Sequence, residues 1–157
     1  MKNEELELYD TLDMCNWYRE LLSMYNCDSK EIMRKHDRKV IEKIIQEFGY
    51  CSIYYSESKI FSIITLFGGI EFQCNFEIKD GLVNIYLISR LIQSEFQIGN
   101  SLIITCRMIE IKKNSDSGRY MLLPRFRNYE ELHSLFRKVF TKYEEYKIAV
   151  FKSSIFI

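Results

Sequence analysis

The chain has 157 residues, with 22 Lys and Arg against 22 Asp and Glu, so its formal net charge is zero. That balance argues against a general polyanion binder, whose affinity needs clustered positive charge. The length suits a single domain, residues 1–157, large enough to bury about 70% of its unfolded surface without covalent staples.

Taken in order, residues 4–25 read as a helix. Leu8, Leu12, Cys15 and Leu22 lie along one stripe, widened by Trp17, Tyr18, Leu21 and Tyr25. Glu4, Glu5 and Glu7 suit the positive end of its dipole. Asn26-Cys27-Asp28 interrupts the pattern, and Asp28 with Glu31 resembles a capping box. A second helix is therefore expected to run to Phe48, burying Val40, Ile41, Ile44, Ile45 and Phe48, with Gly49 as its C-terminal cap.

From Tyr50 the period changes to two. Strands are expected near 50–56, 59–67, 70–78, 82–90, 101–110 and 119–123. In the third, Ile70, Phe72, Cys74, Phe76 and Ile78 alternate with Glu71, Gln73, Asn75 and Glu77. Asp80-Gly81 is a strong two-residue hairpin signal, because both positions tolerate positive φ. That turn sets Phe76 opposite Ile85 and Cys74 opposite Leu87 on a core face. On the other face it sets Glu77 opposite Asn84, Asn75 opposite Tyr86, Gln73 opposite Ile88 and Glu71 opposite Arg90. Gly68-Gly69 makes a second tight hairpin, placing Phe61 opposite Phe76 and sending Ile60, Ile64 and Leu66 to the outer face. Apolar residues there imply a covering element or a partner.

Residues 90–97 could form a short helical turn, and Ile98-Gly99-Asn100 reads as a turn. Lys112 to Gly118 is polar and reads as the most mobile loop. Pro124 ends the last strand. Asn128 then caps a helix with Glu131 at its third position, and Leu132, Leu135, Phe136, Val139, Phe140 and Tyr143 form its buried stripe. Ile148 to Ile157 is apolar and reads as a frayed helix end or an added edge strand.

Five Cys, an odd number without any C-x-x-C pair, point to free thiols in a reducing compartment, and the cytoplasm is the expected location. The acidic N-terminus does not resemble a signal peptide, and no apolar run approaches the roughly 20 residues of a membrane span. Chemistry is sparse. His36-Asp37 could pair a base with a carboxylate, but neighbours on a helix point about 100° apart. His133 reads as a helix-surface residue. Glu71 and Glu77 share a face about 20 Å apart, too far to act on one bond. No phosphate loop, metal-spaced ligand set or cofactor motif is present. Arg119, Tyr120, Arg125, Phe126, Arg127 and Tyr129 interleave bases and aromatics, which single-stranded nucleic acid could use.

The expected architecture is α+β: two N-terminal helices, an antiparallel meander of five or six strands, and a C-terminal helix packed on the sheet. Its layout is similar to that of small cytoplasmic binding proteins, including immunity proteins and secretion chaperones. The expectation is a non-enzymatic protein-binding module, an immunity or inhibitor protein occluding the active site of a cognate toxin. It needs no cofactor or metal, and a homodimer stays open. Partner contact is assigned to Glu71, Gln73, Asn75, Glu77, Tyr86 and Ile88. The alternatives are a small nucleic-acid-acting enzyme with an unconventional site, or a secretion-chaperone or adaptor domain.

Overall fold

A five-stranded antiparallel meander is the frame on which everything else packs. The computed structural model describes residues 1–114 and 122–157. The strands are β1 (Ile53–Tyr55), β2 (Ile60–Phe67), β3 (Ile70–Lys79), β4 (Leu82–Leu91) and β5 (Gln97–Ser101), adjacent in chain order. The central hairpin has the expected register, with Phe76 opposite Ile85, Cys74 opposite Leu87 and Glu71 opposite Arg90. Asp80 and Gly81 both take positive φ, 52° and 78°, as a two-residue turn of this hand requires. Gly81 has a second reason to lack a side chain, because a Cβ there would collide with Ile32 and the Met33 carbonyl. The Gly68-Gly69 turn likewise sets Phe61 opposite Phe76.

Alternation decides which side of the sheet is dry. Ile70, Phe72, Cys74, Phe76 and Ile78 of β3 are buried, as are Val83, Ile85, Leu87 and Ser89 of β4. The helix α5 (Tyr129–Lys152) lies over this face. The Asn128 side chain caps it by accepting from the Glu131 N–H at 2.8 Å. Its stripe, Leu132, Leu135, Phe136, Val139, Phe140 and Tyr143, is buried as expected. Phe76 meets Phe136 and Phe140 at ring-centroid distances of 4.4 and 5.6 Å. Polar groups in this layer are satisfied: the Tyr143 hydroxyl donates to the Phe72 carbonyl at 3.1 Å, and the Ser89 hydroxyl donates to Tyr146 at 2.9 Å.

The N-terminal helix expected over 4–25 is two helices, α1 (Asn3–Thr11) and α2 (Met14–Met24). Asp13 breaks it by taking a left-handed φ of 48°. The half-turn lets both helices lay an apolar stripe on one core. Buried Lys142 reaches from α5 to hydrogen-bond the Leu12 carbonyl freed by the break, at 3.2 Å.

The second expected helix shrinks to α3 (Arg38–Glu47), capped by Asp37, whose carboxylate accepts from the Lys39 N–H at 2.8 Å. Residues 28–37 carry only Ile32 and Met33 as apolar side chains, too few for a helix stripe. The Asp28 carboxylate instead holds a local turn by accepting from the Lys30 N–H at 3.3 Å. The segment runs beside the β3–β4 turn, and the Met33 N–H donates to the Phe126 carbonyl at 2.9 Å.

The strand expected at 101–110 is the helix α4 (Leu102–Lys112). Ser101 caps it, accepting from the Ile104 N–H at 3.4 Å. Its β-branched run, Ile103-Ile104-Thr105, gave a strand signal, but the buried residues Leu102, Thr105, Cys106 and Ile109 follow helical spacing. Ile98-Gly99-Asn100 lies inside β5 and is not a turn. After Leu91 the chain turns at 92–94, where a helical turn was an option. Of the strand expected at 119–123, residues 119–121 lie outside the described residues, and Leu122 and Leu123 have no strand conformation. The loop expected at 112–118 begins later, since Lys112 ends α4, and residues 115–118 lie outside the described residues. The C-terminal residues continue α5 to Lys152 and add no edge strand. No described helix is long and apolar enough to cross a membrane.

Candidate recognition face

The other side of the sheet carries the candidate surface. Period-two geometry puts Glu71, Gln73, Asn75 and Glu77 of β3 there, beside Asn84, Tyr86, Ile88 and Arg90 of β4. From β2 come Ile60, Ser62, Ile64 and Leu66. The β1 pairing, Ile53 to Ser62 and Tyr55 to Ile60, adds Ile53 and Tyr55. All six residues assigned to partner contact from the sequence share this one face, and each is only partly buried.

The polar part is a connected ladder. Arg90 donates to both oxygens of Glu71, at 3.1 and 3.0 Å. The Gln73 amide donates to Glu71 at 2.7 Å, the Asn75 amide donates to Gln73 at 3.3 Å, and the Ser62 hydroxyl donates to Asn75 at 2.7 Å. A second group joins Glu77, Tyr86 and Asn84: Tyr86 donates to Glu77 at 3.1 Å, and Asn84 donates to Tyr86 at 2.9 Å and to Glu77 at 3.3 Å. Burial, then the Glu77 charge and this hydrogen bond, push the Tyr86 phenol above its ordinary value. Among the described residues, every hydrogen bond made by these side chains stays on the face. The ladder therefore fixes rotamers without tying the face to a helix. The Asn84 side-chain oxygen is buried and has no partner there.

The apolar part flanks the ladder on the β1–β2 side. Ile53 is 52% exposed, Tyr55 49%, Ile64 41% and Leu66 64%. Large apolar side chains in one contiguous strip that no described element covers are unusual on a solvated sheet. No described helix lies over them. α5 packs on the opposite face, and its Phe151 reaches only the hairpin end, where its ring meets Phe67 at a tilt, 4.8 Å between centroids. Sequence reading placed Ile60, Ile64 and Leu66 here but missed Ile53 and Tyr55. Only the β2 register reveals their phase, because a three-residue strand is too short for alternation to be read.

The chemical candidates are dispersed. His36 lies outside any helix, ahead of α3, and its Nδ1 is buried with no hydrogen-bond partner among the described residues. Burial and the Lys59 charge lower its pKa against the opposing pull of Asp37. The Asp37 carboxylate is occupied as the α3 cap, so it does not orient His36. His133 contacts Glu47 at 3.1 Å on the surface. Glu71 is held by Arg90, and Glu77 by Tyr86 and Asn84. The described residues contain no cluster of three or more potential metal ligands.

In the basic and aromatic segment, Arg119 and Tyr120 lie outside the described residues. The rest is used by the fold: Phe126 is buried, Arg127 pairs with Glu131 and Glu31, and the Tyr129 hydroxyl accepts from the Asp37 N–H at 2.6 Å. No family model, curated protein or solved structure matches the chain.

Proposed function

We propose that the chain is a non-catalytic protein-binding module that recognises its partner through the uncovered face of the sheet, as an inhibitor or immunity protein would in blocking a toxin's active site. The observation supporting this is the pairing, on one rigid surface, of a self-contained polar ladder with the exposed strip Ile53, Tyr55, Ile64 and Leu66. An interface core that sheds water beside groups of fixed geometry is how specific contacts are built. The ladder lowers the entropy lost on binding, because Gln73, Asn75 and Tyr86 are already held in place.

Charge narrows the partner. Arg90 neutralises Glu71, whereas Glu77 accepts only from the uncharged Asn84 and Tyr86 among the described residues. A basic group on the partner would meet Glu77 beside Tyr86, where complementary charge speeds encounter and fixes register. Enzymes that act on phosphates present such basic groups, so occluding one needs no chemistry from this chain.

The test is a footprint. The partner is co-purified from the native host and identified by mass spectrometry, and carboxyl labelling is compared in the free and bound chain. Protection of Glu77 and Glu71 is expected. Unchanged labelling of both, with protection elsewhere, rejects the face.

A further inference from the structure

The two edges of the sheet are treated differently. On the β5 edge, Glu5 of α1 reaches over and accepts the Gly99 N–H at 3.3 Å. At the other edge, β1 pairs with β2 only over Ile60 to Ser62, so among the described residues Ile63 to Phe67 has no strand partner on that side. Backbone direction follows from the hairpin. Phe67 and Ile70 close the two-residue Gly68-Gly69 turn as a hydrogen-bonded pair, so Ile63, Thr65 and Phe67 address β3. Ile64 and Leu66 address the open side. None of the usual guards, a Lys, a Pro or a bulge, stands in the run Ile63-Ile64-Thr65-Leu66-Phe67.

From this edge we infer that two copies of the chain pair β2 to antiparallel β2 about a two-fold axis at Thr65, joining their meanders into one continuous sheet. The run is a palindrome in chemical character. Centred on Thr65, the pairing sets Ile64 of one copy against Leu66 of the other, and Ile63 against Phe67. The Ile64–Leu66 positions are those whose N–H and C=O groups point outward, so each becomes a fully hydrogen-bonded pair. Thr65 meets its own copy at a non-hydrogen-bonded position, where side chains approach most closely. An isologous contact needs this self-complementarity, and the run itself carries no charge.

Length agrees as well. Five positions are open, and each copy turns away at Gly68-Gly69 just where β1 of the other begins. The apolar surface continues past the edge on the helix side. Phe67 and Phe151 are both exposed and in ring contact, and Ile148 is exposed one turn before Phe151 on α5. Pairing also places the two Ile64–Leu66 strips side by side on the outer face, doubling it. The inference stands on the edge and does not require the partner-binding reading.

The test uses the full chain. Analytical ultracentrifugation of the unmodified protein should give twice the chain mass. Leu66→Pro removes only an N–H that faces solvent in the monomer, so it should yield a folded monomer by circular dichroism. If that variant does not fold, Ile64→Lys replaces it, with the same expectation. Thr65→Cys, oxidised with diamide, should form a reducible cross-link between copies at residue 65, because paired Cβ atoms there stand about 4.5–5.5 Å apart. A Ser58→Cys control should form none at residue 58. A monomeric wild type, a folded Leu66→Pro or Ile64→Lys that stays dimeric, or a dimer in which residue 65 does not cross-link would each overturn the inference. None of these readouts involves the partner, so this pairing and the recognition face succeed or fail separately.

Discussion

Phe76→Ala probes the joint between the sheet and α5. The ring is fully buried, at 4.4 Å from Phe136 and 5.6 Å from Phe140, and stands between Phe61 and Ile85 on the neighbouring strands. Burying a Phe removes about 150–250 Å² from water, which at about 25 cal/mol per Å² is roughly 4–6 kcal/mol for the whole side chain. Ala keeps part of that, while each lost ring pair adds about 0.5–1.5 kcal/mol. The expected loss is therefore about 4–5 kcal/mol, the upper half of the range for Phe truncation. In a chain of this length that lowers Tm by roughly 8–20 °C. The assay is urea unfolding followed by tryptophan fluorescence and circular dichroism, with the slope m compared between variants. Gln73→Ala, on the opposite face of the same strand, is the control and should cost under about 1 kcal/mol. A Phe76→Ala loss below about 1 kcal/mol, or a larger loss from Gln73→Ala, would refute the assignment of the two faces.

Two further outcomes follow from buried groups. All five cysteines are free, so titration of the unfolded, unoxidised chain should count five thiols. In the native state Cys51, which is exposed, and Cys15 should react first. A hydrogen bond with Cys106 and the charges of Arg19 and Lys113 draw the Cys15 thiol below its ordinary value. Burial pushes the Cys74 thiol up, so it should label only on unfolding. Rapid native labelling of Cys74 would contradict the packing of β3. For His36 the folded pKa lies below the unfolded value of about 6.5. The unfolded chain then binds the extra proton first, and stability should fall as pH drops below about 6.5. His36→Gln should flatten that slope in urea midpoints measured from pH 7.5 to 5. An unchanged slope would show that His36 is not desolvated in the fold.

Strand alternation carried the middle of the molecule. Between Ile60 and Leu91, glycine turns and period-two patterning determine every pairing, because a one-residue slip would mix apolar and polar faces. The cap of α5 was equally legible in Asn128 and Glu131. The misreadings have local causes. The α1–α2 break depends on Asp13 adopting a left-handed conformation, which no apolar spacing announces. In α4 a β-branched run masked a helix whose evidence was one capping serine and a helical burial pattern. Asp28 carried a capping signal, but tertiary contacts of Ile32 and Met33 with the β3–β4 turn claimed the segment instead. At the candidate face, register alone brought Glu71, Gln73, Asn75, Glu77, Tyr86 and Ile88 together. The missing part, Ile53 and Tyr55, sits on a strand defined only by its neighbour.

The central claim is that this outer face binds a protein partner. Its most direct test is the affinity of Tyr86→Ala and Glu77→Lys for the co-purified partner, measured by calorimetry beside urea unfolding of each variant. Tyr86→Ala should weaken binding by about 2 kcal/mol or more, as loss of a hot-spot tyrosine does. Glu77→Lys should weaken it too, mainly through slower association. Both should unfold within about 1 kcal/mol of the parent. Full affinity in both variants would contradict the claim. A loss of stability matching the loss of binding would contradict it as well, by showing that the ladder serves the fold.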